Sequence, residues 1–87
     1  SQTENMAWNR PASARYRVQT GAFRREENAW SLYQKLLRQR FPAEIGKNED
    51  LFLVWVGNYA RLDNAVKMEQ VLKSLGYATY IIRTDES

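Results

Sequence analysis

The ten acidic residues are the side chains best suited to catalysis, and their spacing gives no catalytic pair. A glycosidase needs two carboxyl groups that face each other across a cleft. Here Glu26, Glu27 and Asp63 stand at the starts of predicted helices, where acidic groups stabilise the helix dipole, and most of the others fall in predicted loops or near the chain ends. The sequence has no His and no Cys, which removes the usual general base, nucleophile pairs and zinc ligands. We therefore expect a protein that is not an enzyme and that uses no metal and no cofactor.

Trp55 and Gln19 point to binding instead of catalysis. A tryptophan on a solvent-facing sheet is unusual without a partner, and its flat ring with one N–H donor suits stacking on a sugar. Gln19 offers two donors and an acceptor to hydroxyl or acetamido groups, in a strand where Val or Thr would be the better β-former. The alternative for Trp55 is packing against Leu53 or against the N-terminal segment.

The sequence around these two residues occurs twice. The segment from Tyr16 to Phe23 matches the segment from Phe52 to Tyr59, and the similarity continues at a constant offset of 36 residues. The apolar positions of the two copies stay in register, which indicates an internal duplication. Identical residues occur at eight pairs of positions: Val18/Val54, Gly21/Gly57, Arg25/Arg61, Asn28/Asn64, Ala29/Ala65, Gln34/Gln70, Leu36/Leu72 and Ile45/Ile81.

Each copy predicts a strand, a helix and a second strand. The strands follow from apolar, β-branched runs, and the helices follow from apolar residues at the 3.6-residue period. The predicted elements are β1 (about 16–22), α1 (26–39), β2 (about 41–45), β3 (51–57), α2 (62–75) and β4 (about 77–83), with a loop at 46–50. We expect an α+β fold of the ferredoxin-like βαββαβ type: a four-stranded antiparallel sheet with two helices on one face and the other face open. Residues 1–14 are expected to be a flexible N-terminal tail, 15–84 the domain, and 85–87 a C-terminal tail.

Strand alternation divides the side chains between the two faces of the sheet. Paired aromatic and valine positions of the two copies define the expected core face, which holds Tyr16, Val18, Thr20, Phe52, Val54 and Val56. The open face should then hold Arg17, Gln19, Gly21, Leu51, Leu53, Trp55 and Gly57. Because β1 and β3 are the central strands of this topology, Gln19 and Trp55 should lie close together.

The face of β4 is less determined than the faces of the central strands. One assignment places Thr79, Ile81 and Arg83 on the open face, and the other places Ala78, Tyr80 and Ile82 there. We favour the assignment that puts Ile81 on the open face.

Helix α1 carries a second apolar stripe, formed by Trp30, Tyr33 and Leu37. The equivalent positions of α2 are partly charged, so the two copies differ here. Either Met6 and Trp8 of the N-terminal segment fold back over this stripe, or it contacts a neighbouring domain or a second copy of the protein.

Length and charge limit the remaining possibilities. A chain of 87 residues allows one domain, which we expect to be a monomer. The net charge of +3 favours an anionic partner but is too small to demand nucleic acid. No apolar run approaches the roughly 20 residues of a membrane span, and the first residues do not show the pattern of a signal peptide. If the protein works outside the cytoplasm, we expect it to be a fragment of a larger envelope protein.

The duplicated motif resembles the SPOR domain family. It comprises Val18-Gln19-Thr20-Gly21-Ala22-Phe23 with Asn28-Ala29 and Leu36 in the first copy, and Val54-Trp55-Val56-Gly57-Asn58-Tyr59 with Asn64-Ala65, Leu72 and Gly76-Tyr77 in the second. The resemblance covers about 16–83 and implies a module that binds peptidoglycan glycan strands lacking their stem peptides. It further implies ligand contacts on the open face, at positions that match Gln19, Ala22, Leu51, Leu53, Trp55 and Ile81.

The resemblance also implies a location and leaves alternatives. Such a module directs a parent protein to the septum or the spore wall, in the periplasm or the extracytoplasmic cell wall. Several positions depart from the family pattern. Ala22 stands where a hydroxyl side chain is frequent, and Leu51 and Leu53 stand where aromatic or basic residues are common. Trp55 is an unusual aromatic on the open face, and Arg40 replaces the Gly that normally ends the first helix. The alternatives are a nucleic-acid binder shaped like an RRM, which uses the sheet of the same fold, and a protein-interaction module that uses the α1 stripe.

Overall fold

The computed structural model describes residues 13–86, with side chains described from 14 to 85. Four strands form a single sheet in the order β2-β3-β1-β4, and every neighbouring pair is antiparallel. The predicted βαββαβ fold is therefore confirmed, with β1 and β3 in the centre. The elements are β1 (Ser13–Phe23), α1 (Glu26–Arg38), β2 (Ala43–Asn48), β3 (Leu51–Tyr59), α2 (Leu62–Ser74) and β4 (Tyr80–Glu86).

All four strands differ from their predicted bounds, and β3 continues two residues beyond the predicted end at 57, to Tyr59. Strand β1 begins at Ser13, which pairs with Glu86 at the far end of β4, because ladder hydrogen bonds join backbone groups whatever the side chains are. Strand β2 continues to Asn48, so the predicted loop at 46–50 shrinks to a two-residue turn at Glu49–Asp50, in which Glu49 has a φ of 54°. Strand β4 begins at Tyr80, three residues after the predicted start at 77.

The core lies between one face of the sheet and both helices. Each helix contributes one alanine and one leucine without solvent exposure, and the central strands contribute three valines. Alanine at these positions lets the helix backbone approach the sheet, and each buried Leu or Val adds about 1.5–3 kcal/mol of hydrophobic stabilisation. The residues are Ala29, Leu36, Ala65, Leu72, Val18, Val54 and Val56.

Both helices end in the same backbone motif. In each one the two residues after the C-cap donate their N–H groups to carbonyls of the last turn, which is the Schellman arrangement. The first of these residues has a left-handed backbone, with a φ of 92° at Gly76 and 71° at Arg40. The hydrogen bonds run from Arg40 to Leu37 (2.9 Å), Phe41 to Leu36 (3.0 Å), Gly76 to Lys73 (2.9 Å) and Tyr77 to Leu72 (3.0 Å).

The two central strands each contain an extra residue in their shared ladder. In β1 the extra residue is Thr20, and in β3 it lies next to Gly57. A Cβ atom on Gly21 would overlap the ring of Phe23, and one on Gly57 would overlap the ring of Tyr59. Gly57 also has a φ of 80°, which favours glycine. Each bulge therefore depends on a glycine over which the next aromatic ring folds.

The prediction that Gly21 lies on the open face was wrong because of the bulge in β1. A bulge interrupts the alternation of side chains, so Gly21 pairs with Val54 and faces the helices instead of the open face. The next residue, Ala22, then pairs with Leu53 on the open face and is exposed. Simple alternation could not predict this change, because it assumes an uninterrupted ladder.

Candidate functional site

One row of side chains crosses all four strands on the open face. Ladder pairing brings Glu44 of β2 next to Trp55, Trp55 next to Gln19, and Gln19 next to Tyr80 of β4. The predicted proximity of Gln19 and Trp55 is confirmed, since the indole Nε1–H donates a hydrogen bond of 3.3 Å to the Gln19 Oε1. We refer to these four residues as the central row.

The indole of Trp55 lies over the edge strand. A Cβ on Gly46 would overlap the Cη2 and Cζ3 atoms of the ring, so the indole occupies the space of a side chain at that position. Gly46 pairs with Leu53, which lies two residues from Trp55 in β3 and on the same face of the sheet. The hydrogen bond to Gln19 holds the pyrrole side of the ring, and the bare backbone of Gly46 receives the benzo side.

Arg17 crosses the sheet above this ring. Its guanidinium carbon lies 4.7 Å from the Trp55 ring centroid, a cation–π distance. Its Nη1 donates a 3.0 Å hydrogen bond to the Glu44 Oε1, in a salt bridge that joins β1 to β2. The Arg17 side chain is 19% exposed and the Glu44 side chain 54%. Arg17 and Glu44 were not predicted as site residues, because a charged residue on an open sheet face is normally only solvated.

The other predicted residues of β1 and β3 differ in how much surface they offer. Ala22 is exposed and lies beside Leu53. Leu53 is on the open face but is only 8% exposed, flanked in the ladder by Ala22 and Gly46. Leu51 is half-buried at the hairpin end of β3. Ligand binding by these three residues stays a prediction, and Leu53 presents little area for it.

The prediction for β4 placed Ile81 on the wrong face. Ile81 pairs with Val18 and packs against the core, so the open-face positions of β4 are Tyr80 and Ile82, opposite Gln19 and Arg17. Tyr80 is 67% exposed and was missed as a site residue. The duplication contained the signal, because Ile81 is identical to Ile45 of the first copy, which also packs against the core.

The second stripe of α1 is partly accessible. Trp30 is 47% exposed and Leu37 is 41% exposed, while Tyr33 packs against the core. The ring centroids of Trp30 and Tyr33 lie 5.1 Å apart. The predicted cover, Met6 and Trp8, lies outside the described residues, and a partner surface at this stripe stays a prediction.

The titratable groups with shifted pKa values lie away from the open face. Burial raises the pKa of Tyr59, which packs against the core. A hydrogen bond from Arg61 lowers the pKa of the exposed Asp63 at the start of α2, and the same contact raises the pKa of Arg61. Within residues 13–86 no group of three or more acidic side chains could hold a metal ion. No helix in this range is both long and apolar enough to cross a membrane.

Comparison with known proteins assigns this arrangement to a family. No curated protein matches the chain. The solution structure of the peptidoglycan-binding domain of the Bacillus subtilis cell wall lytic enzyme CwlC is similar, with a TM-score of 0.77 and 28% sequence identity over 85% of this chain and 94% of that one. The SPOR domain model matches residues 12–83, which include every strand and helix described above except the last residues of β4. The chain therefore belongs to the SPOR domain family.

Proposed function

We propose that this domain is a non-catalytic module that binds glycan strands of peptidoglycan from which the stem peptides have been removed. The observation that carries the proposal is the central row on the open face, on a fold similar to the peptidoglycan-binding domain of CwlC. The row combines two aromatic rings with the amide of Gln19, and these groups match the apolar faces and the hydroxyl and acetamido groups of sugars.

The row is arranged for an extended ligand. Neighbouring strands lie about 4.7–4.9 Å apart, so the distance across four strands suits a ligand of several sugar rings that crosses the sheet. The exposed ring of Tyr80 and the side chain of Gln19 lie side by side near one end of the row. Because Gln19 already accepts a hydrogen bond from Trp55, its amide nitrogen is directed by that contact and is available to donate to a sugar oxygen.

The function requires a setting outside the cytoplasm. Peptidoglycan lies in the cell wall, and strands without stem peptides arise where amidases have acted, at division septa and around spores. The domain would direct a larger protein to such places in the periplasm or the extracytoplasmic wall.

A nucleic-acid-binding function is not favoured by the same residues. An RRM stacks bases on aromatic rings of its central strands, but here the position opposite Trp55 is Gln19, so the two central strands do not offer a pair of rings. Binding to a glycan strand should depend weakly on salt, whereas phosphate binding weakens steeply as salt is added.

Sedimentation with purified cell-wall sacculi tests the proposal. We expect the domain to sediment with amidase-treated sacculi and to stay in solution with intact sacculi. Trp55→Ala and Gln19→Ala should each weaken this binding about tenfold, equivalent to about 1.4 kcal/mol, while Trp30→Ala on the helix side should not. Equal binding to both kinds of sacculi, or no effect of either open-face variant, would refute the proposal.

A further inference from the structure

Arg17 is held in the structure in a way that leaves part of its hydrogen-bonding capacity unused. Its Nη1 donates to Glu44 and its guanidinium lies over Trp55. Among the described side chains, its Nε is buried and has no hydrogen-bond acceptor. A buried donor without an acceptor is costly. A ligand that supplies an acceptor to this guanidinium therefore gains more binding free energy than it would gain at a guanidinium whose donors all have acceptors.

The geometry gives this guanidinium an internal carboxylate partner that a ligand can replace. Glu44 lies on the edge strand with a side chain that is 54% exposed, whereas that of Arg17 is 19% exposed. If the ion pair opens, Glu44 can return to water at little cost, because an exposed carboxylate is already well hydrated. Arg17 is more buried and continues to require an anion, since an unpaired buried charge is unfavourable.

Removal of a stem peptide creates such an anion on the glycan. In intact peptidoglycan the lactyl group of each muramic acid is bound to the peptide through a neutral amide. An amidase hydrolyses that amide, water supplies the oxygen, and the lactyl group keeps a carboxylate that is ionised at neutral pH. A strand without stem peptides therefore differs from an intact strand in charge as well as in size.

We propose that Arg17 recognises this lactyl carboxylate by exchanging Glu44 for it, and so makes the domain selective for strands without stem peptides. This inference rests on the proposed function of the open face. A guanidinium binds a carboxylate through two parallel N–H donors, and a neutral amide cannot replace Glu44 in that pairing. Movement of Arg17 toward the ligand also uncovers the Trp55 ring, which the guanidinium overlies in the unbound protein.

Soluble glycan strands with altered carboxylates test the exchange. One sample consists of amidase-treated strands, and the other consists of the same strands after conversion of the lactyl carboxylates to N-methylamides. The methylamide removes the charge and adds only a small group, so it separates recognition of charge from exclusion of the bulky peptide. Titration calorimetry with the wild-type domain should give about tenfold weaker binding to the methylamide strands.

Three variants assign the effect to the ion pair. Arg17→Gln should bind both kinds of strand with equal affinity, and Glu44→Gln should bind the carboxylate strands severalfold more tightly because the internal competitor is gone. Arg61→Gln is the matched control, because it removes the same charge from a second Arg–carboxylate pair, an exposed one at the start of α2, and it should keep the tenfold preference. Thermal unfolding of each variant checks that it is folded.

The outcomes separate this inference from the proposed function. Equal affinity of the wild-type domain for both kinds of strand would overturn the role of Arg17 while leaving glycan binding intact. Retention of the preference by Arg17→Gln would overturn it as well. Failure of the wild-type domain to bind either kind of strand would instead overturn the proposed function itself.

Discussion

At the scale of single residues, the position of Trp55 depends on three neighbours from three different parts of the sequence. Gln19 accepts its N–H, Arg17 lies over its ring, and Gly46 leaves the space in which its benzo side lies. The pairing of Gln19 with Trp55 follows from topology and could be predicted. The contacts with Arg17 and Gly46 could not, because they depend on the rotamers of two long side chains, and those are not determined by strand alternation.

We expect Gly46→Ala to displace the Trp55 ring. An added Cβ would overlap two ring atoms, and the ring can rotate outward because it lies at the surface of the sheet. The domain should stay folded, the hydrogen bond to Gln19 should be lost, and glycan affinity should fall about as much as in Trp55→Ala. The indole N–H resonance of Trp55 in an NMR spectrum reports the movement.

A double variant checks that Gly46→Ala acts through the ring. In a Trp55→Ala background the additional Gly46→Ala substitution should leave glycan affinity unchanged, because the ring that it displaces is absent. A further loss of affinity in the double variant would show that Gly46 contacts the ligand on its own.

At the scale of the elements, the two copies resemble each other on the core face of the sheet and differ on its open face. Equivalent residues such as Phe41 and Tyr77, which follow the two helices, meet across the molecule with ring centroids 6.5 Å apart in an edge-to-face contact. On the open face, Gln19 is equivalent to Trp55 and Glu44 to Tyr80, so the whole central row consists of positions at which the copies have diverged.

This division explains which predictions at the element scale succeeded. Repeated apolar identities located the core strands and helices, since burial demands similar residues in both copies. The same rule would have assigned Ile81 to the core from its match with Ile45. The bulge at Thr20 could not be inferred, because an extra residue in a ladder changes the facing of side chains without changing the apolar pattern.

Substitutions at the two helix ends should change the stability of the domain in opposite directions. Arg40 has a φ of 71° where the second copy has Gly76, and a side chain in this left-handed conformation costs about 1 kcal/mol. Arg40→Gly should therefore raise the free energy of unfolding by up to about 1 kcal/mol, and Gly76→Ala should lower it by a similar amount. Urea denaturation measures both, and a loss of stability in Arg40→Gly would contradict the assigned helix end.

The two bulge glycines should differ in their sensitivity to substitution. An alanine at either position overlaps an aromatic ring, but Gly57 alone of the two has a positive φ, of 80°. Overpacking costs about 1–3 kcal/mol, and we expect Gly57→Ala to cost about 1 kcal/mol more than Gly21→Ala because of the added backbone strain. Equal losses in thermal or urea unfolding would mean that the ring contacts alone determine the cost.

At the scale of the whole molecule, stability and binding use opposite faces of one sheet. The helix-covered face holds the core of buried valines, leucines and alanines, while the open face holds the central row. The arrangement of the strands was predictable from the duplication, since a βαββαβ order places the first strand of each copy in the centre. The path of the Arg17 side chain across the open face could not be predicted, because it depends on contacts with Trp55 of β3 and Glu44 of β2 in the complete fold.

A truncation in the core should affect folding and leave the open face intact in the molecules that fold. Leu36→Ala should lower the free energy of unfolding by about 2–5 kcal/mol, a large part of the about 5–10 kcal/mol expected for a domain of this size. Val71→Ala, at a helix position that is 48% exposed, is the control and should cost less than about 1 kcal/mol. Urea denaturation distinguishes the two, and similar losses would contradict the assigned core.

Binding of the glycan by the open face can be observed residue by residue in an NMR titration. Soluble glycan strands without stem peptides are added to the isotope-labelled domain while amide and indole resonances are followed. We expect the shifts to concentrate at Arg17, Gln19, Trp55 and Tyr80, and the resonances of α1 and α2 to stay unaffected. Shifts confined to the α1 stripe at Trp30 and Leu37, or no shifts at saturating glycan, would contradict binding by the open face.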